Sequence, residues 1–125
     1  MRALLDTQAF YLSATGARFS PKVLSVLDDP ANDLLLCSAS ILEIALKHQS
    51  GKIDMPEMLV RQAVEDLGLR VIAFGARHAY QLFSLPLYHR DPFDRMVIAT
   101  ALAENIPLIG GDRQFARYKD LRRIW

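Results

Sequence analysis

A single cysteine, Cys37, is all the thiol this 125-residue chain contains. One thiol excludes an internal disulfide framework and cannot by itself make a thiolate zinc site. No apolar run approaches the roughly 20 residues that cross a bilayer, and Asp6 breaks the first run before a signal-like stretch develops. The sequence therefore reads as a soluble, cytoplasmic protein with no membrane partner. It also lacks a Gly-x-Ser-x-Gly elbow, a glycine-rich phosphate loop and a His-x-x-x-His pair. Those absences remove the common serine-hydrolase, nucleotide-cradle and histidine-zinc patterns. Charge of one sign is missing too: 15 Lys and Arg face 14 Asp and Glu, a formal net of +1, so gross charge names no partner.

What is present is apolar side chain, 51% of the residues, enough to build the core of one domain spanning residues 1–125. Ala3-Leu4-Leu5 and Leu34-Leu35-Leu36-Cys37 are short continuous apolar runs, the pattern of strands buried on both faces. Val71-Ile72 and Ile106-Pro107-Leu108-Ile109 read as further strands, and the segment ending at Trp125 as a short helix and an edge strand. Helical spacing lies between these runs. A short helix spans Gln8 to Leu12, another opens at Ser20-Pro21, and Pro56 begins an amphipathic stretch to Leu67. Ser40-Ile41-Leu42-Glu43 has capping-box spacing, placing Glu43 in the first turn of a helix that runs to Ser50. A helix covers Ala76 to Phe83, and Asp91-Pro92 caps and opens a longer one ending near Asn105. Strands alternating with helices imply an α/β three-layer sandwich with a short, mostly parallel sheet flanked by helices.

In such sheets the crevice beyond the carboxyl ends of the strands is where ligands bind. Asp6 and Asp112 follow strand ends directly, and Glu43 and Asp94 lie early in helices that start at the same edge. Each acid has a plainer explanation as a helix cap, a first-turn charge or a turn residue. Four like charges in one crevice, however, would repel one another and raise their own pKa values unless a cation sits among them. Oxygen-only donors point to a hard ion, Mg²⁺ or Mn²⁺, and such an ion at an open site suits phosphodiester hydrolysis. Asp6, Glu43 and Asp94 are the ligand candidates, with Asp112 as ligand or water-positioning base. Thr7 and Ser38 are candidates for orienting the carboxylates. Arg90 and Arg95 could hold phosphates or pair with Asp91, and His89, near the site, could assist a leaving group, although a loop histidine with no paired partner is more often a surface or hydrogen-bonded residue.

Taken together these stretches resemble the PIN domain, and within it the toxin ribonucleases of bacterial toxin–antitoxin modules, the VapC-like group. The resemblance runs through Leu4-Leu5-Asp6-Thr7, Ser38-Ala39-Ser40 leading to Glu43-Ile44 with Lys47, His89-Arg90-Asp91-Pro92-Phe93-Asp94-Arg95 with Ile98-Ala99, and Ile109-Gly110-Gly111-Asp112 before Phe115. It implies that Asp6, Glu43, Asp94 and Asp112 form an acidic catalytic and metal site, with Asp91 kept as a cap. It further implies Mg²⁺- or Mn²⁺-dependent endoribonuclease activity on an RNA substrate, a homodimer, and a small antitoxin partner. Two rival expectations are a non-catalytic α/β binding module and a PIN nuclease of RNA processing without an antitoxin. A phosphoacceptor receiver domain fits less well, because Asp6 is followed by Thr7-Gln8 and the late strand ends in Gly110-Gly111-Asp112.

Overall fold

The computed structural model covers residues 1–125. Its five strands are β1 (Arg2–Leu5), β2 (Asp33–Cys37), β3 (Arg70–Ile72), β4 (Leu108–Ile109) and β5 (Arg123–Ile124). They form one sheet in the order β3-β2-β1-β4-β5, and every pair is parallel. The helices are α1 (Thr7–Ala14), α2 (Pro21–Leu27), α3 (Ser38–Gln49), α4 (Glu57–Asp66), α5 (Ala76–Gln81) and α6 (Pro92–Glu104), with 3₁₀ turns at Leu82–Ser84 and Arg113–Arg117.

Alternation along the strands divides the core in two. Ala3, Leu5, Leu34, Leu36 and Ile109 pack on one face with Phe10, Val23, Ile44, Val60 and Ala63. Leu4, Leu35, Cys37 and Leu108 pack on the other with Val97, Ile98, Ala101, Phe115 and Tyr118. Successive side chains of a strand point to opposite faces, so a strand covered on both sides is apolar throughout. No helix is long and apolar enough to cross a membrane.

Register brings the strand ends level: Leu5 lies opposite both Leu36 and Ile109. The Asp6 N–H donates to the Ile109 carbonyl at 2.9 Å, which ties the first residue beyond β1 to the end of β4. Everything leaving β1, β2 and β4 therefore emerges along one edge.

Several boundaries differ from those the sequence suggests. The capping box at Ser40 does not form: β2 passes straight into α3, Cys37 takes the N-cap position with no side-chain hydrogen bond, and Ser40 and Glu43 lie inside the helix. Glu43 is thus in the second turn, one turn deeper than its spacing implied. Pro56 is the residue before α4, not its first. α5 gives way to a 3₁₀ turn at Leu82, and β4 is limited to Leu108–Ile109. Asp91 does cap α6, its Oδ1 accepting from the N–H groups of Phe93 and Asp94 at 2.9 and 3.0 Å. The amphipathic face of α4 is largely core, with Val60 and Ala63 buried.

Candidate active site

Each of the four acids is delivered to the sheet edge by a different connection. Asp6 is the N-cap of α1, and its Oδ1 accepts from the Ala9 N–H at 2.7 Å. Glu43 comes from α3, Asp94 from the first turn of α6, and Asp112 caps the 3₁₀ turn after β4, its Oδ1 accepting from the Gln114 N–H at 2.9 Å. All four line one cavity of about 280 Å³, together with Thr7, Gln8, Tyr11, Lys47 and Asp91.

Their electrostatics are those of crowded anions. Burial, reinforced by the charges of Asp94, Asp112 and Glu43, pushes the Asp6 carboxyl up to about 7 against the pull of the Ala9 N–H. Asp94 is pushed up to about 6, first by burial and then by Asp91, with His89 opposing. Burial acts in the same direction on Asp112, but the Gln114 N–H, His89 and Arg123 together hold it below the usual carboxylate range. Lys47, one helical turn beyond Glu43, is the cation that reaches this group of acids from α3: its Nζ lies 2.6 Å from Glu43 Oε2 and its pKa is raised by that bond.

Glu43 Oε1 is different again. It is buried and has no hydrogen-bond partner, although leaving a buried charged acceptor unsatisfied costs about 1–3 kcal/mol or more. Asp6 uses only Oδ1 for its cap, and the oxygen of Asp94 that faces His89 is Oδ2. Glu43 Oε1 is thus the buried oxygen left without a donor, on one of four acids that line the same cavity. An all-oxygen donor set with an orphaned buried member fits a hard divalent cation better than any uncharged occupant.

Close packing leaves Asp6 little freedom. A Cβ on Gly110 would stand 2.7 Å from Asp6 Oδ2 and 2.7 Å from the Phe115 ring, so only glycine lets the β4 exit pass the carboxylate. Gly110→Ala is expected to destabilise the protein by about 1–3 kcal/mol through overpacking, with Asp6 displaced. A urea denaturation midpoint equal to wild type would contradict this.

Other expectations are corrected. Thr7 and Ser38 orient no carboxylate: the Thr7 hydroxyl donates to Ser40 at 2.8 Å, and the Ser38 hydroxyl accepts from the Phe74 N–H at 2.9 Å. Arg95 does not pair with Asp91; it donates to the carbonyls of Leu85, Pro86 and His89. Arg90 is exposed. His89, which sequence alone leaves without a partner, has its Nε2 2.7 Å from Asp112 Oδ2 and 3.1 Å from Asp94 Oδ2. One atom from each of these three residues lies within 4.8 Å of the others. Lys47 is marked in the sequence by its i,i+4 spacing from Glu43; His89 stands at the head of its motif, but its bond to Asp112 spans 23 residues and has no local signal.

A profile of the PIN domain matches residues 3–121. Among solved structures, a chain of the Rickettsia felis VapBC2 complex bound to a promoter DNA fragment aligns with a TM-score of 0.73 at 19% identity, covering 98% of this chain and 97% of that one. A chain of the DNA-bound VapBC of Salmonella typhimurium aligns at 0.69 and 16% identity, covering 98% and 96%. One from VapBC-1 of nontypeable Haemophilus influenzae aligns at 0.62 and 18%, again covering 98% and 96%. No curated protein sequence matches the chain.

Proposed function

The chain belongs to the PIN domain family, and from that premise we propose that it is a metal-dependent endoribonuclease and the toxin of a toxin–antitoxin pair. The observation that carries the nuclease reading is Glu43 Oε1, a buried carboxylate oxygen with no hydrogen-bond partner, beside Asp6, Asp94 and Asp112 on the lining of one small cavity. Asp6, Glu43 and Asp94 would hold a Mg²⁺ or Mn²⁺ ion. When bound, such an ion supplies a polarised water for attack on phosphorus and a counter-charge for phosphate oxygens.

The chain's own residues account for the rest. Lys47 takes Glu43 Oε2 and leaves Oε1 without a partner. The Asp91 cap fixes the first turn of α6 and with it the direction of Asp94. Asp112 has both oxygens engaged, Oδ1 by the Gln114 N–H and Oδ2 by His89, which suits it to holding a water or its neighbours in place better than to direct ligation. With no cation present, the clustered acids repel an RNA backbone, so loading and substrate binding are linked.

The toxin assignment is supported by the full-length likeness to chains of VapBC complexes. A small antitoxin and, as the sequence resemblance implies, a second copy of the chain are the partners we assign, acting in the cytoplasm. Incubation of the purified protein with RNA and Mn²⁺ tests the core of this reading. Cleavage that a chelator stops and added Mn²⁺ restores is expected; cleavage indifferent to chelator, or none with Mn²⁺, would count against it.

A further inference from the structure

We propose that His89 is a positioning residue of this site: its Nε2–H holds Asp112 and faces Asp94, setting the two carboxylates for a divalent ion that the ring itself does not ligate. This rests on the metal-site reading above and goes beyond it by excluding the nitrogen donor nearest the acids.

The exclusion follows from the tautomer. His89 Nδ1 lies 3.1 Å from the Asp91 backbone nitrogen and accepts its N–H. A ring nitrogen that accepts a hydrogen bond carries no proton, so the proton of the neutral imidazole is on Nε2. Placing it on Nδ1 would set two N–H groups against each other at 3.1 Å. Nε2 therefore has no lone pair to offer a metal, and what it offers Asp112 Oδ2 at 2.7 Å is a hydrogen bond. Asp94 Oδ2, at 3.1 Å, meets the same positive edge of the ring.

The surroundings hold the ring in that attitude. The Tyr118 hydroxyl accepts from the His89 N–H at 2.9 Å and donates to the Pro86 carbonyl at 2.7 Å. Arg95 clamps the same loop through the carbonyls of Leu85, Pro86 and His89. The imidazole lies against the Phe115 ring with centroids 5.9 Å apart, and Phe115 is fully buried. A loop histidine fastened by a tyrosine, an arginine and a core phenylalanine is built to aim. What it aims at is the gap between an acid of α6 and an acid beyond β4, two carboxylates that no backbone contact joins. Donors to ligating or neighbouring carboxylates fix their orientation, and their loss commonly weakens metal binding by about 10–100-fold.

The test uses the full chain and Mn²⁺ as probe. In metal-free wild type, nitrogen-15 shifts of His89 should report protonated Nε2 and bare Nδ1. Calorimetric titration should show Mn²⁺ binding about 10–100-fold weaker in His89→Phe and largely recovered in His89→Gln, whose amide N–H reaches the Nε2 position. Electron spin-echo spectra of the Mn²⁺-loaded wild type should lack a directly bound nitrogen. A protonated Nδ1, a directly bound nitrogen, or wild-type affinity in His89→Phe would each overturn the proposal. Wild type that takes up no Mn²⁺ at all would instead overturn the metal reading on which it rests, a result told apart by the unmutated protein alone.

Discussion

Replacing Asp94 with asparagine is expected to lower Mn²⁺-dependent RNA cleavage by about 10²–10³-fold or more without destabilising the metal-free protein. A ligating carboxylate contributes to several kcal/mol of charge stabilisation in the reaction, and each 1.36 kcal/mol is a factor of ten in rate. Asparagine keeps the side chain's shape and leaves the Asp91 cap untouched, because that cap uses the backbone N–H of residue 94. What it removes is a charge that burial, Asp91, Glu43 and Asp112 all oppose. Activity and stability should thus move in different directions, which an unfolded variant could not imitate. Initial cleavage rates beside urea denaturation curves check both, and cleavage at the wild-type rate would contradict the role assigned to Asp94.

The second large effect is on stability against pH. In chelator, the protein is expected to gain roughly 2–4 kcal/mol of stability as pH falls from about 7.5 to 5, since one proton taken up on folding is worth about 1.4 kcal/mol for each pH unit. The Asp6 carboxyl titrates at about 7 when folded and near 3.8 when unfolded. Between those values the folded chain holds a proton the unfolded chain has lost, so acid favours folding, and the gain is complete once pH falls below the unfolded value. Asp94 adds to this between 3.8 and about 6. Asp33, Glu104 and Asp112, whose carboxyls are lowered, act oppositely but only below their ordinary range. Saturating Mn²⁺ should reverse the trend, because a metal bound to deprotonated carboxylates stabilises the folded state more as pH rises. Asp6→Asn should flatten the metal-free slope; an unchanged slope in that variant would contradict the assignment to Asp6.

The sheet was legible in the sequence because its strands are buried on both faces, which turns Ala3-Leu4-Leu5 and Leu34–Cys37 into unbroken apolar runs. Asp6 was legible for a related reason: a strand that stops at a fixed register delivers the next residue to a fixed edge, whereas Asp112 lies beyond Gly110 and Gly111 and is placed by capping the turn after β4. Local rules did worse where two of them competed. Ser40 and Glu43 have capping-box spacing, yet a helix continuing directly from β2 leaves no cap position at Ser40, so Ser40 serves Thr7 and Glu43 moves one turn inward. Thr7 and Arg95, beside acids in sequence, and Ser38, just past the end of β2, send their hydrogen bonds to other groups, a choice made by packing. His89 was least legible of all. Its place beside Asp112 depends on contacts of the loop with Tyr118 and Arg95 that no periodicity encodes.

The claim that the acids share a divalent ion is tested most directly by anomalous diffraction from crystals soaked in MnCl₂. One strong peak bonded to Asp6, Glu43 and Asp94, with Glu43 Oε1 among its ligands, is the predicted result. Ordered carboxylates with no anomalous density between them, or manganese bound only elsewhere on the surface, would contradict it.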